Sequence, residues 1–312
     1  MSVLQKPSAI LLMGPTASGK TALGVAMAQA LNAEIISVDS ALVYRGMDIG
    51  TAKPTLAERG GVPHHLIDIL DPSEAFSTGQ FRNRALELMA DITERGKLPL
   101  LVGGTMLYFS ALTQGLAQLP EADPEIRQRL DQELQDLGKE VLHARLAQVD
   151  PQAAARIHVN DPQRIQRALE VYEISGRPLS SFFDADQHAE QPFRFIKLIV
   201  APEQRSTLHA NVAERFDQML THGFLDEVQA LWQRRDLDES MPSIRCVGYR
   251  QAWSYLNGEY DLTTMRDKAI IATRQLAKRQ FTWLRKEQDA HHLITGSKDL
   301  VGQALAYCRA YE

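Results

Sequence analysis

The stretch from Gly14 to Thr21 reads GPTASGKT and matches the phosphate-binding pattern G-x-x-x-x-G-K-[ST]. The apolar run Ala9–Met13 before it predicts a buried strand, and the apolar spacing from Leu23 to Leu31 after it predicts one face of a helix. In that setting, the backbone N–H groups of the loop and the helix N-terminus favour a bound phosphate. We therefore expect a diphosphate or polyphosphate to be bound by Gly14, Pro15, Thr16, Ala17, Ser18, Gly19, Lys20 and Thr21.

Two side chains of this loop have roles of their own. Lys20 supplies a mobile cation, and the Thr21 hydroxyl is a ligand suited to Mg²⁺. We therefore expect magnesium as the cofactor, with Thr21 as its ligand in the protein.

Further apolar runs alternate with helical patterns along the first third of the chain. Ala33–Val38, His65–Leu70 and Leu98–Val102 read as strands, and a helix capped at Ser77 or Thr78 ends near Gly96. This alternation predicts an α/β fold with a P-loop-type parallel sheet core flanked by helices.

The pattern changes near residue 118. From 119 to about 183 there are only helical patterns, broken by prolines, and a strand returns at Phe193–Val200. We therefore predict a catalytic core from 1–117 and 194–312, including C-terminal helices, and an all-helical insertion domain from 118–193.

Composition excludes several classes of protein. The chain of 312 residues is 44% apolar and 23% charged, which is typical of a soluble globular protein, and its net charge of −5 argues against indiscriminate coating of nucleic acid. Its two cysteines form no CxxC pair and suit a reducing cytoplasm.

No signal peptide and no apolar run of roughly 18 residues is present, so we expect a cytoplasmic protein without a membrane segment. We also expect a monomer with no obligate protein partner.

Polar and small residues follow the predicted strands at the edge where ligands of parallel sheets collect. Asp39 ends the second strand and is suited to bind magnesium, orient a ribose or act as a base; alternatively, it caps the next turn. Gly103 and Gly104 either allow close approach of a ligand or form a tight turn, and Thr105 offers a hydroxyl. Because no aspartate follows Val102, an ATPase motor or a GTPase switch is disfavoured.

Basic residues outside the loop have two interpretations. Arg215 is either a ligand for phosphate or a solvated residue on a helix. The stretches Gln163–Arg167 and Arg245–Arg250 either contact unstacked bases and phosphates or form solvated surface. His64 and His65 point to opposite sides of a strand, which favours structural roles over a shared metal.

Taken together, the motifs resemble the bacterial tRNA dimethylallyltransferase family (also called tRNA isopentenyltransferases or IPP transferases). The resemblance extends in order from about residue 9 to 286. It is carried by GPTASGKT at 14–21, ISVDSAL at 36–42, GMDIGTAKP at 46–54, LVGGTMLY at 101–108, NDPQR at 160–164 and IRCVGYRQ at 244–251.

The resemblance implies transfer of a dimethylallyl group from dimethylallyl diphosphate to the exocyclic amine of the adenosine 3′ of the anticodon. The acceptors are tRNAs that read codons beginning with U. It implies that Asp39 is the general base and that Thr105 and Arg215 act around the diphosphate held by the loop. It also implies contact with the tRNA anticodon stem-loop by Asp39, Ser40, Ala41, Leu42, Thr105, Arg127, Gln163, Arg164, Ile165, Gln166, Arg167, Arg245, Cys246, Val247, Gly248, Tyr249 and Arg250.

Two other functions share parts of this pattern. A nucleotide or small-molecule kinase would place ATP on the loop and transfer a phosphoryl group. An RNA-binding module without catalysis would keep the loop only as a structural element, and substitution of Asp39 would then leave its activity intact.

Overall fold

The computed structural model describes residues 6–117, 119–185 and 191–311. The chain divides into two compact units, one comprising Met1–Thr113 and Pro192–Glu312 and the other comprising Gln114–Gln191. Each unit has a buried apolar core of its own.

The first unit is built on a parallel sheet of six strands, as far as the described residues go, in the order β3-β2-β4-β1-β5-β6. The central strands are buried on both faces and consist mainly of Ile, Leu, Val and Ala, which is expected when helices cover both sides of a parallel sheet. The predicted α/β class is therefore confirmed. The strands are β1 (Ser8–Met13), β2 (Ala33–Val38), β3 (His64–His65), β4 (Leu98–Gly103), β5 (Arg194–Ala201) and β6 (His291–Ile294).

Helices cover the sheet on both faces. α2 begins at a capping box in which the Gln80 amide donates to Ser77 Oγ at 3.1 Å and the Ser77 amide donates to Gln80 Oε1 at 2.8 Å. The helices of this unit are α1 (Lys20–Ala30), α2 (Thr78–Glu94), α3 (Met106–Gln114), α9 (Arg205–Thr221), α10 (Phe224–Trp232), α11 (Tyr249–Leu256), α12 (Leu262–Leu284) and α13 (Leu300–Arg309).

These helices form three apolar clusters. One face of the sheet packs against α2 and α3, and the other face packs against α1 and α13. The third cluster joins α9–α12 to the segment Val43–Met47, which follows Asp39. The chain after β2 is therefore held by the C-terminal helices.

Two strand predictions differ from the structure. The strand predicted for His65–Leu70 stops after His65, because Leu66 and Asp68 adopt positive φ angles of 61° and 57°, which no strand accommodates. The sequence also gave no prediction for β6, whose four residues pair with β5.

The second unit is helical throughout the part the structure describes. Three of the prolines that interrupt its helical pattern occupy the first turns of helices, where a missing N–H costs nothing, and an aspartate precedes each of them as the N-cap. Its helices are α4 (Pro124–Leu137), α5 (Lys139–Val149), α6 (Pro151–Arg156), α7 (Pro162–Ser175) and α8 (Ser180–Ala185). In neither unit do the described residues include a helix with the length and apolarity to cross a membrane.

Candidate active site

The phosphate loop joins β1 to α1 and has the backbone of an anion cradle. Gly19 is left-handed at a φ of 83° and precedes α1 without any side-chain cap, so the first amides of this helix remain available to an anion. A Cβ on Gly14 would lie 2.2 Å from the carbonyl oxygen of Val200, so only glycine fits there. The loop therefore has the conformation that the sequence predicts.

Lys20 points back into its own loop. Its Nζ donates to the carbonyl oxygen of Pro15 at 2.5 Å. Burial lowers the pKa of Lys20 to about 8, the charge of Asp39 opposes this shift, and the charge of Arg215 adds to it. The ammonium group therefore lies within electrostatic reach of Asp39 and Arg215, two of the three predicted catalytic residues.

Asp39 follows β2 directly. Burial raises its pKa above the usual value for a carboxyl, while hydrogen bonds from the amides of Ala41 and Leu42 and the charges of Lys20 and Arg215 oppose the rise. The Ala41 amide donates to Asp39 Oδ1 at 2.9 Å. Asp39 thus makes the turn-capping bond considered from the sequence, and it also lies among the cations of the cleft.

The end of β4 comes very close to its neighbours. A Cβ on Gly103 would lie 2.0 Å from the carbonyl oxygen of Val38, so no side chain fits there. Thr105 Oγ1 accepts a hydrogen bond from the Ser40 amide at 3.0 Å, which ties the chain after β4 to the chain after β2. The two glycines therefore allow a close approach, and Thr105 borders Asp39.

Gln280 was not predicted from the sequence, yet it links the loop to the end of β4. This side chain on α12 is 7% exposed. Its Oε1 accepts a hydrogen bond from the Thr16 amide at 2.9 Å, and its Nε2 donates to the Gly104 carbonyl oxygen at 2.9 Å. The only sequence signal was a glutamine on the buried face of an otherwise basic helix.

Arg215 lies on α9 at the same cavity. Burial lowers its pKa, and the nearby charges of Asp39 and Glu58 oppose this shift. It has no hydrogen bond or ion pair with any other residue that the structure describes, in contrast to most arginines of the chain. A desolvated and unpaired cation is suited to bind an anion.

The cavity that these groups share has a volume of about 590 Å³. The structure brings into it four of the eight predicted loop positions, the predicted strand-end positions, Arg215 and residues 245–249. Gly14, Pro15, Ser18, Gly19 and Arg250 do not line it. Its wall includes Thr16, Ala17, Lys20, Thr21, Ile35, Ser37, Asp39, Ser40, Ala41, Leu42, Gly103, Gly104, Thr105, Arg215, Arg245, Cys246, Val247, Gly248, Tyr249, Gln280 and Trp283.

The stretch Arg245–Arg250 combines exposed and buried side chains. Arg245 and Arg250 are exposed, whereas Tyr249 is fully buried and donates its hydroxyl to Glu227 Oε1 at 2.5 Å. Glu227 also accepts hydrogen bonds from the three consecutive amides of residues 48–50, at 2.7–3.0 Å. Tyr249 therefore anchors this stretch, and the arginines are the side chains available to a ligand.

The same division occurs on the insertion. Arg127 and Arg167 both pair with the fully buried Glu170, at 2.9 Å and 2.6 Å. Ile165 is completely buried in the helical core, whereas Arg164 is 71% exposed and Gln163 is also exposed. The sequence motif thus contains residues that build the insertion as well as residues that face solvent.

The oxygen groups around the loop fit magnesium better than a softer metal. The described residues include no cluster of three or more His, Cys, Asp or Glu side chains able to hold a metal ion. Thr21 is exposed at the cavity, and the Ser37 Oγ on its wall is buried without a hydrogen-bond partner in the described structure. Two hydroxyls beside an anion cradle suit Mg²⁺, which prefers few protein oxygens together with phosphate oxygens and water.

Known proteins resemble this chain over nearly its whole length. A model of the IPP transferase family matches residues 42–287, and a model described as isopentenyl transferase matches residues 7–72. A protein of Methylococcus capsulatus named tRNA dimethylallyltransferase is 58% identical over 310 residues, which is 99% of each chain. One of the same name from Nitrosococcus oceani is 58% identical over 299 residues, covering 96% of this chain and 95% of the relative.

Solved structures agree with these matches. The full-length tRNA isopentenylpyrophosphate transferase of Bacillus halodurans has a TM-score of 0.72 and 37% identity, covering 98% of this chain and 96% of that one. A eukaryotic dimethylallyltransferase, described as acting on tRNA, has a TM-score of 0.84 and 27% identity, covering 98% of this chain and 79% of that one. The chain therefore belongs to the IPP transferase family.

Proposed function

We propose that this chain transfers the dimethylallyl group of dimethylallyl diphosphate to N6 of the adenosine 3′ of the anticodon, in tRNAs that read codons beginning with U. It is a tRNA prenyltransferase, as its family and the names of its relatives indicate. The observation that carries the reaction is that Asp39 and the phosphate loop share one cavity.

Asp39 acts as the general base. The N6 amine of adenine is a poor nucleophile because its lone pair is delocalised into the ring. As N6 forms a bond to C1 of the donor, one N6 proton moves to the Asp39 carboxylate, and no full positive charge remains on the base. The C1–O bond breaks, and its electron pair leaves with the diphosphate.

The diphosphate gains negative charge as it leaves. Lys20 and Arg215 are cations that line the cavity, and the uncapped first amides of α1 are donors beside them. Each fixed donor of this kind contributes about 3–4 kcal/mol in measured enzymes. A magnesium ion bound through Thr21 would neutralise part of the same charge.

The tRNA is held by exposed basic and polar groups. In the first unit these are Arg245 and Arg250, and in the insertion Gln163 and Arg164 are the accessible members of the motif. The target adenosine must leave its stack to reach Asp39, which costs a few kcal/mol. Binding of the anticodon stem-loop supplies that free energy.

The test is incubation with magnesium, dimethylallyl diphosphate and an anticodon stem-loop, followed by mass analysis of the nucleosides. We expect one adenosine to gain a dimethylallyl group, and Asp39→Asn to abolish the gain while diphosphate binding survives. Asp91→Asn, which changes an exposed carboxylate paired with Arg95, is the matched control. Full activity of Asp39→Asn would exclude the proposed base, and turnover of ATP with no allylic transfer would indicate a kinase.

A further inference from the structure

Ser37 is a buried hydroxyl that neither the fold nor the mechanism above explains. It occupies the second-last position of β2, is 4% exposed, and its Oγ has no hydrogen-bond partner in the parts of the chain that the structure describes. Leaving such a group unpaired is unfavourable, because it has lost its hydrogen bonds to water and gained none in the protein. Ser243 shows the usual arrangement, because its equally buried hydroxyl donates to the Pro72 carbonyl oxygen at 2.5 Å.

The sheet places Ser37 opposite the first turn of α1. Ser37 pairs in register with Val102 of β4, so their side chains project from the same face of the sheet. On that face Val102 packs against α1, since a Cβ on Gly24 would lie 3.0 Å from Val102 Cγ2. Thr21 precedes Gly24 by three residues and lies on the same side of the helix. Ser37 and Thr21 therefore lie on the same face of the sheet, and both line the cavity.

We propose that the Ser37 hydroxyl is a second protein oxygen of the magnesium site, beside Thr21 and in contact with the ion or one of its waters. This inference rests on the magnesium-assisted release of diphosphate proposed above. Mg²⁺ is usually held by one or two protein oxygens, and phosphate oxygens and water complete its six ligands. Thr21, Ser37 and a diphosphate on the loop form such a set.

A neutral residue suits position 37 for an electrostatic reason. Asp39 lies two residues further along the same strand edge, and the diphosphate brings further negative charge. A carboxylate at position 37 would add to this negative charge and would repel the donor. A hydroxyl contributes an oxygen without that charge.

The proposal is tested by calorimetric titration of the full-length protein with inorganic diphosphate, with and without Mg²⁺. We expect Ser37→Ala to weaken magnesium-dependent binding about 10-fold or more while binding without magnesium is unchanged. Ser37→Thr, which keeps the hydroxyl, should retain the magnesium dependence. Ser243→Ala, which also deletes a buried hydroxyl, should bind diphosphate as the wild type does under both conditions.

Three results would overturn the assignment. The first is that Ser37→Ala keeps the wild-type magnesium dependence of diphosphate binding. The second is that Ser37→Ala binds diphosphate more weakly by the same factor with and without magnesium. The third is that Ser37→Thr also loses the magnesium dependence of diphosphate binding. The titration uses neither tRNA nor an allylic donor, so its result is independent of whether prenyl transfer is observed. If Thr21→Ala also leaves the dependence unchanged, the loop does not hold magnesium, and that part of the proposed function fails separately.

Discussion

Gln280 joins the phosphate loop to the end of β4, and its removal has a cost that the structure allows us to state. Gln280→Ala leaves the Thr16 amide and the Gly104 carbonyl without their partners. Each unpaired buried backbone group costs about 1–3 kcal/mol. Because water can enter the space vacated beside the cavity and recover part of this loss, we expect the free energy of unfolding to fall by about 2–4 kcal/mol.

Gly104→Ala perturbs the same contact from the end of β4. A Cβ at this position would lie 2.5 Å from Gln280 Nε2 and 3.3 Å from the Gly14 carbonyl oxygen. The amide of Gln280 must move, so the variant loses one or both of the same hydrogen bonds, at a cost of about 1–3 kcal/mol. In the double variant the clash with Gln280 is gone, and the bonds are lost only once. We therefore expect the free energy of unfolding of the double variant to be about 1–2 kcal/mol higher than the summed losses of the two single variants predict.

Urea unfolding of the wild type, both single variants and the double variant measures this coupling. The matched control combines Gly104→Ala with Gln29→Ala, because Gln29 also donates to a glycine carbonyl, that of Gly60 at 2.9 Å, but at a separate place. The changes in the free energy of unfolding of these two variants should be additive. Additivity of the Gln280 pair within about 0.5 kcal/mol would show that Gln280 does not hold these two segments together.

Four further outcomes are expected. Because the pKa of Lys20 is about 8, the free enzyme loses this cation as pH rises through that value, so kcat/KM for the donor should fall above it. Lys20→Arg should abolish this fall of kcat/KM at high pH. A pH profile identical to that of the wild type would contradict the assignment of the fall to Lys20. Arg215→Ala should lower kcat by about 100-fold or more through loss of a fixed cation; a change in KM alone would show that Arg215 only binds. Removing Arg245 and Arg250 should weaken tRNA binding and reduce its salt dependence by about one unit of slope per phosphate contact, and an unchanged slope would exclude these contacts. Glu227→Gln should lower the free energy of unfolding by about 2 kcal/mol, because it replaces charge-assisted bonds to three loop amides; wild-type stability would refute this role.

The sequence predicted those parts of the site whose signals are local. The loop between β1 and α1 and the position of Asp39 after β2 follow from the mainly apolar strands that precede them and from glycine placement. The buried residues of α9, Leu208, Val212 and Phe216, likewise have the spacing of one helical face. In each case the burial pattern depends on residues that are close together in the sequence, so these elements can be predicted without knowing their tertiary contacts.

What the sequence did not predict depends on partners that are distant along the chain. Gln280 bonds to Thr16 across 264 positions, and periodicity assigns no partner to a buried polar residue. β6 has only four residues and becomes a strand because β5 offers it an open edge. The failure at β3 is different in kind, since a locally plausible strand is ended by left-handed residues whose conformation is set by tertiary contacts.

The strand order explains why glycine is needed at the end of β4. β4 lies between β1 and β2, so the phosphate loop after β1 and Asp39 after β2 are two strand spacings apart, or about 10 Å. In the proposed reaction the five-carbon group must span from the diphosphate to the amine across the end of the strand between them. A side chain at position 103 or 104 would meet the Val38 carbonyl or Gln280 and would displace the two walls of the cleft. With glycine at both positions, the end of the central strand is open to the alkyl group that is being transferred.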